Sequence, residues 1–145
     1  MLNTSRIDIY NYLYTLFYGT VTENVYSMNE PQELTDDDTT YGFIVIRVGD
    51  LNDESEFRGE AYGWTRCYIE AYVPPISRGR LDIERYQEFE DSINNVILTA
   101  TMETGGEYHI REESILSMDG ERTTNANNTY FTFTKSFIVD INQSE

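Results

Sequence analysis

The residues of this chain best able to do chemistry are acidic, and they come in runs. Asp50-x-Asn52-x-Glu54-x-Glu56 puts an oxygen ligand at every second position, the spacing of a calcium loop. Such a loop needs a glycine at its sixth position and a two-oxygen glutamate at its twelfth, where this chain has Ser55 and Ala61. The run therefore reads as a solvated acidic loop. Cys67 and His109 are the single cysteine and the single histidine, and a thiol–imidazole pair can carry nucleophilic catalysis. Cys67, however, alternates with Trp64, Arg66 and Tyr68 in a strand-like pattern, where a free cysteine serves as a small apolar filler. No third residue suggests itself to orient the imidazole. Glu112-Glu113 and Asp36-Asp37 could divide acid and base roles, but nothing apolar beside them would raise a pKa. Gly105-Gly106 lacks the lysine and hydroxyl residue of a phosphate loop, and one Cys with one His cannot make a zinc site. The expectation is a chain with no catalytic residue, no metal and no cofactor: not an enzyme.

The elements that position these residues must come from a chain of 145 residues, a length that suits one domain (1–145) with its own core. A domain of that size buries roughly 70% of the surface its unfolded chain exposes. Twelve Tyr and seven Phe favour a folded protein with contact surfaces, because Tyr buries a large ring while keeping a polar tip. The formal net charge of −16 argues against gripping DNA or an anionic membrane, which draws on Lys and Arg. Nine Arg and one Lys, Lys135, are the available cations, and Arg suits two-pronged contacts with carboxylates. A lone cysteine fits a reducing compartment, and no run approaches the ~20 apolar residues of a membrane helix. The chain is expected to be soluble in a cytoplasm.

Tyr10, Leu13, Tyr14 and Phe17 form one helical stripe, with Ser5 and Asp8 as a capping box and Gly19 as the left-handed residue after the end. A β-prone stretch over 21–28 precedes a long acidic loop over 30–40, in which Asp36-Asp37-Asp38 is expected to be exposed. Residues 41–48 and 62–73 read as two strands of an antiparallel hairpin, joined by the acidic loop 50–60 and closed by Pro74-Pro75. A second helix is expected from about residue 82 to 98, capped by Asp82, with Tyr86, Phe89, Ile93, Val96 and Ile97 on one face. Short strands over 107–110 and 114–118 follow, then a polar loop over 119–128 beginning at Asp119-Gly120. The last strand, 130–141, alternates strictly, with Phe131, Phe133, Phe137, Val139 and Ile141 on one face. Lys135 falls on that apolar face, so either a bulge shifts the register or its stem snorkels. The fold class is α+β: an antiparallel, twisted sheet with two helices on one face, in the order helix–strands–helix–strands.

This order, with the run YIEAYVPPISRGRLDIERYQEFEDSINNVI at its middle, resembles the small neck and tail-completion proteins of tailed bacteriophages, the tail-terminator and head–tail joining proteins. The resemblance is one of layout, spans Ile7 to Ile141, and is most specific from Tyr72-Val73-Pro74-Pro75 through Arg78-Gly79-Arg80-Leu81-Asp82. The loops over 30–40 and 107–128 are longer than in a minimal member, and the charge is unusually negative. The resemblance implies a structural virion protein forming a ring of six or twelve copies at the neck or tail. Its neighbours would be portal, connector or tail proteins, and genomic DNA would pass through the lumen without specific binding. Ten carboxylates and two Arg lie between Glu30 and Glu60. Facing the lumen, they would give DNA a wall of like charge. Facing a neighbour, Asp36, Asp37, Asp38, Asp50, Asp53, Glu54 and Glu56 would complement Arg78 and Arg80 in a head-to-tail contact. Two other readings stand beside it: an acidic inhibitor that mimics DNA, or an adaptor or binding domain unrelated to phage.

Overall fold

The computed structural model describes residues 2–20, 22–28, 31, 33–55, 61–103, 105–123 and 129–143; at Arg78 and over 114–123 it describes the backbone alone. Ser5 starts the first helix, α1 (Arg6–Phe17). Its hydroxyl accepts the Asp8 amide at 3.3 Å, and the Asp8 carboxylate accepts the Ser5 amide at 2.9 Å. This reciprocal cap satisfies two donors that the first turn would otherwise leave open. The fully buried stripe is Ile9, Leu13 and Phe17, one position away from the Tyr10 start expected. Tyr10 and Tyr14 flank it half-buried, which keeps their hydroxyls near water. Gly19 ends the turn at φ +74°, the left-handed geometry expected of it.

Six strands form one sheet: β1 (Val25–Ser27), β2 (Phe43–Val48), β3 (Asn52–Asp53), β4 (Ala61–Val73), β5 (Tyr108–Thr123) and β6 (Thr129–Gln143). The order is β1-β2-β4-β6-β5, with β3 beside the start of β4. The β2–β4 hairpin is antiparallel as expected, with Phe43 opposite Tyr72 and Val48 opposite Cys67. The pairing of β1 with β2 is parallel. Asp82 caps the long helix α3 (Ile83–Thr101), its carboxylate accepting the Arg85 amide at 3.1 Å. Tyr86, Phe89, Ile93, Val96, Ile97 and Ala100 on α3 join Ile9, Leu13 and Phe17 on α1 over Cys67, Ile69, Ala71 and Val73 of β4. The two long helices thus share one face of the sheet, as the sequence predicts. Truncating a core side chain such as Leu13 to Ala would cost ~2–5 kcal/mol.

One expectation is corrected in this layer, and the alternative left open at Lys135 is decided. Asp119-Gly120 does not open a loop over 119–128. Residues through Thr123 continue β5 against β6, and a register shift between Met118 and Gly120 absorbs the extra residue. Residues 124–128 lie outside the described ones. Lys135 keeps its place in β6, opposite Ile69 in an unbroken β4–β6 register. The bulge lies in β5, where Glu112 pairs with Phe137 and the next partner, Leu116, pairs with Lys135. Lys135 is buried, and its ammonium donates to the Glu113 carbonyl at 3.3 Å, within the bulge, with Glu112 Oε1 at 3.8 Å. The bulge turns a backbone carbonyl towards a cation that the apolar face could not otherwise hold.

The opposite face of the sheet carries a second, smaller cluster: Phe43, Val45, Tyr72 and Tyr130, with Tyr26 and Leu34 against it. The Phe43 and Tyr72 rings stack at 4.4 Å, and Tyr130 meets both edge-on. A short helix, α2 (Asp36–Tyr41), closes this end. It stops at Gly42, where φ is +92° and a Cβ would overlap the Tyr72 carbonyl oxygen. Only glycine serves both demands. Among the described residues no helix is long and apolar enough to cross a membrane.

Candidate functional site

The expectation that Asp36, Asp37 and Asp38 form an exposed loop is corrected. The three open α2, because Thr35 caps it: the Thr35 hydroxyl accepts the Asp38 amide at 3.1 Å, and Asp38 Oδ2 accepts the Thr35 amide at 3.0 Å. Cap geometry then sorts the three. Asp36 and Asp37 are exposed in the first turn, where the helix dipole favours them. Asp38 turns inward and is fully buried. Its Oδ2 accepts the Tyr26 hydroxyl at 2.6 Å, and its backbone carbonyl accepts the Tyr130 hydroxyl at 3.1 Å. Burial, reinforced by the bond to Asp38, pushes the Tyr26 hydroxyl above its ordinary range. Burial, with the Asp38 charge second, raises Tyr130 to about 12. Both phenols therefore stay protonated as donors at any pH near neutral. The signal for this arrangement was present as Thr35-x-x-Asp38, a capping-box spacing hidden by the run of like residues.

The second acidic segment lies at the other end of β4 and behaves differently. Asp53 sits exposed on the edge strand β3 and accepts the Ser55 hydroxyl at 2.5 Å, the Ser55 amide at 2.9 Å and the Leu2 amide at 3.1 Å. Those bonds, the Ser55 hydroxyl foremost, lower its carboxyl to about 2. Glu54 accepts the Trp64 indole N–H at 3.2 Å. Asp50 is exposed, and its carbonyl accepts the Asn52 amide at 3.3 Å. The Asp53 and Glu54 carboxylates are engaged by their own chain, and among the described residues no group of three candidate ligands converges on one point. Glu56 lies outside the described residues.

Arg80 is exposed beyond the end of β4, and its carbonyl accepts the Ile76 amide at 2.8 Å. Arg78 lies in the intervening 3-10 turn, Ser77–Gly79, and its side chain is outside the description. The fold brings Arg80 to the same end of the sheet as Asp36–Asp38, since Phe43, just past α2, pairs with Tyr72, just before Pro74. Asp50, Asp53 and Glu54 lie near Gly63, ten residues back along β4. That separation is on the order of 30 Å.

Between these ends the sheet face bears ion pairs. Arg47 Nε meets Glu70 at 2.7 Å, Arg66 Nε meets Glu113 at 3.0 Å, and Arg111 Nε meets Asp140 at 3.0 Å. Arg66 and Arg111 use a second nitrogen on the same carboxylate group. Tyr62 also donates to Asp140 at 3.1 Å. This row is absent from the expected site residues, since it follows from register between distant strands. Cys67 and His109 are not brought together. Cys67 faces the helices on β4 opposite Phe137, whereas His109 pairs two strands away with Asp140, its Nε2 3.3 Å from the Thr101 carbonyl oxygen. Burial raises the thiol to about 12, which leaves little thiolate to act.

Fold and surface together define an α+β protein whose sheet is covered by two long helices on one face and paired charges on the other. No family model matches the chain, and no curated protein matches it. Among solved structures the chain is similar to the anti-feeding prophage cap, a tube terminating cap seen by cryo-EM. The two share 11% identity with a TM-score of 0.46. The alignment covers 98% of this chain and 56% of the cap chain, so this chain spans little more than half of that protein's length.

Proposed function

We propose that this chain is a non-catalytic structural protein of a tailed bacteriophage, one tile of a ring at the head–tail neck or tail through which DNA passes. The observation that carries the reading is the order of its elements. A capped N-terminal helix leads to a hairpin whose second strand ends at Pro74-Pro75, then a helix of 19 residues crosses the sheet and a long hairpin closes the chain. That layout is the one for which the central run of the sequence resembles neck and tail-completion proteins.

A ring of identical tiles needs two different complementary faces on each subunit. The placement of charges favours one pairing over another. Arg78 and Arg80 share their end of the sheet with Asp36 and Asp37, so the carboxylates available to them on a neighbour are those of the far end: Asp50, Asp53 and Glu54. The exposed Asp36 and Asp37 then remain for a lumen or an outer surface, where like charge keeps DNA from sticking.

The test is to image the assembled phage particle and to weigh the free chain. Density for this chain in a symmetric ring of six or twelve copies around the channel supports the reading. Charge reversal at Asp53, Glu54 and Glu56 should keep the chain folded, at some cost in stability from the lost Asp53 and Glu54 bonds, and impair ring assembly or infectivity beyond what Asp53→Asn does. Fully infectious particles from that triple variant overturn the role given to the acidic edge. Absence of the chain from purified particles overturns the structural role itself.

A further inference from the structure

An open pocket of about 460 Å³ sits beside the end of β2, lined by Arg6, Met28, Arg47, Val48, Gly49 and Tyr68. In a chain of net charge −16, two guanidinium groups meeting at one pocket is an unexpected concentration. Arg6 is held there by neutral acceptors, and Arg47 by one neutral acceptor and one carboxylate. Arg6 donates from Nε at 3.1 Å and Nη2 at 2.6 Å to the Val48 carbonyl, and Nη2 lies 3.9 Å from the Met28 sulfur. Arg47 donates from Nη1 to the Met28 carbonyl, while its Nε pairs with Glu70. Arg6 forms no ion pair among the described residues. Its charge is fixed in place by those bonds.

The backbone at the pocket carries a second signal. Met28 has φ +65°, the one non-glycine residue among those described with a positive φ. Its amide donates to the Ile46 carbonyl at 2.7 Å and its own carbonyl accepts Arg47, so both sides of the strained residue are tied down. Strain of this kind persists where surrounding contacts over-determine it, and it gathers at binding sites. Here it aims the Met28 carbonyl so as to fix the Arg47 fork. Arg6 Nη1, Arg47 Nη2 and the Tyr68 hydroxyl are left with no hydrogen bond among the described residues.

We propose that this pocket receives one carboxylate, presented by an acidic side chain of a partner protein and gripped between Arg6 and Arg47 with Tyr68 donating to it. With one nitrogen left on each guanidinium, the two arginines together can meet the two oxygens of a carboxylate through charge-assisted bonds. A phosphodiester chain would bring many charges against a strongly acidic body, whereas a single carboxylate meets Arg6 and Arg47 with only Glu70, already paired to Arg47, opposing it. The assignment goes beyond the ring reading and does not depend on it.

The test uses the full chain and four probes: a blocked Gly-Glu-Gly peptide, its Gly-Gln-Gly twin, succinate and inorganic phosphate. Side-chain Nε–Hε resonances of Arg6 and Arg47 are followed by NMR. The Glu peptide should shift both resonances in a salt-sensitive way, and the Gln peptide should not. Arg6→Gln should weaken the Glu peptide about tenfold, the loss of one charge-assisted bond. Tyr68→Phe, which preserves shape, should weaken it less and guards against a folding defect in the first variant. Equal responses to the Glu and Gln peptides, or none to any probe, overturn the site. Tighter binding of succinate or phosphate than of the Glu peptide overturns the assignment to a protein side chain.

Discussion

Asp36–Asp38 and Asp50–Glu54 are two short acidic segments at opposite ends of the same long strand, and they stabilise the molecule in different ways. At the first, one carboxylate of three is drawn into a dry aromatic cluster, where it accepts the Tyr26 hydroxyl and the Thr35 amide. At the second, Asp53 stays in water and collects three donors from Ser55 and Leu2. Charge density is similar; the surroundings are not. Asp38 has the cap position and an aromatic floor beneath it, whereas Asp53 lies on a two-residue edge strand with solvent above it. Placement, rather than composition, decides which carboxylate is structural.

The largest effect should follow from Asp38→Ala. It removes the acceptor for Tyr26 and the reciprocal cap of α2, and it opens the end of the Phe43–Tyr72–Tyr130 cluster. Lost capping and buried hydrogen bonds of this type together amount to about 2 kcal/mol. One term works in the opposite direction: Asp38 Oδ1 is buried with no hydrogen-bond partner among the described residues, so the native carboxylate already bears a desolvation cost. Urea unfolding should show the midpoint fall without a large change in slope. A loss below about 0.5 kcal/mol, the range of ordinary surface substitutions, would mean that the inward carboxylate is a passenger and that the two segments do not differ in kind.

The same contrast separates what could be read from the residues from what could not. Both long helices were legible in their caps, Ser5 with Asp8 and then Asp82, because those signals lie within four residues of the turn they start. The strand faces of β4 and β6 were legible in their alternation, and the end of β4 in Pro74-Pro75. Asp38 was not, because three consecutive aspartates look like solvated chain until the Thr35 cap fixes which one turns inward. The passage of β5 through Asp119-Gly120 was hidden for a different reason. Pairing with β6 outweighs local turn preference, and a bulge takes up the extra residue. The row Arg47–Glu70, Arg66–Glu113 and Arg111–Asp140 depends on register across as many as 47 residues of chain. The meeting of Arg6 with Arg47 depends in turn on how α1 packs beside the end of β2. Of the expected contact residues, the sequence offered their charges, but only the pairing of β2 with β4 places Arg80 beside one acidic segment and far from the other.

A smaller effect is expected at Asp53. Its carboxyl is lowered in the folded chain from an ordinary value of 3.8 to about 2. A depressed carboxyl contributes stability above its unfolded pKa, and the contribution is lost as pH falls from about 4 through about 2. Asp53→Asn should therefore destabilise at neutral pH, and the gap between variant and native chain should close as acid is added over that window. Urea midpoints at a series of pH values provide the measurement. A gap that stays constant down to pH 2 would show that the Ser55 and Leu2 bonds hold equally well on a neutral side chain, and charge would drop out of the account of this edge.

The smallest effect on stability belongs to Asp36 and Asp37, and it is the sharpest test of the comparison. Both are exposed in the first turn of a helix of six residues, so their only structural contribution is to the positive end of a short dipole. Replacing both by Asn should cost no more than about 0.3–1 kcal/mol at low salt, and still less as salt screens them. The Asp38 loss should be nearly indifferent to salt, because its partners are neutral hydroxyl and amide donors. The ratio of the two losses, followed from low to high ionic strength, should therefore rise. If the Asp36 and Asp37 pair proves as costly as Asp38, and as insensitive to salt, then all three carboxylates serve the lid over Tyr72 and Tyr130. No excess charge would then remain at this end for a neighbour or a channel wall.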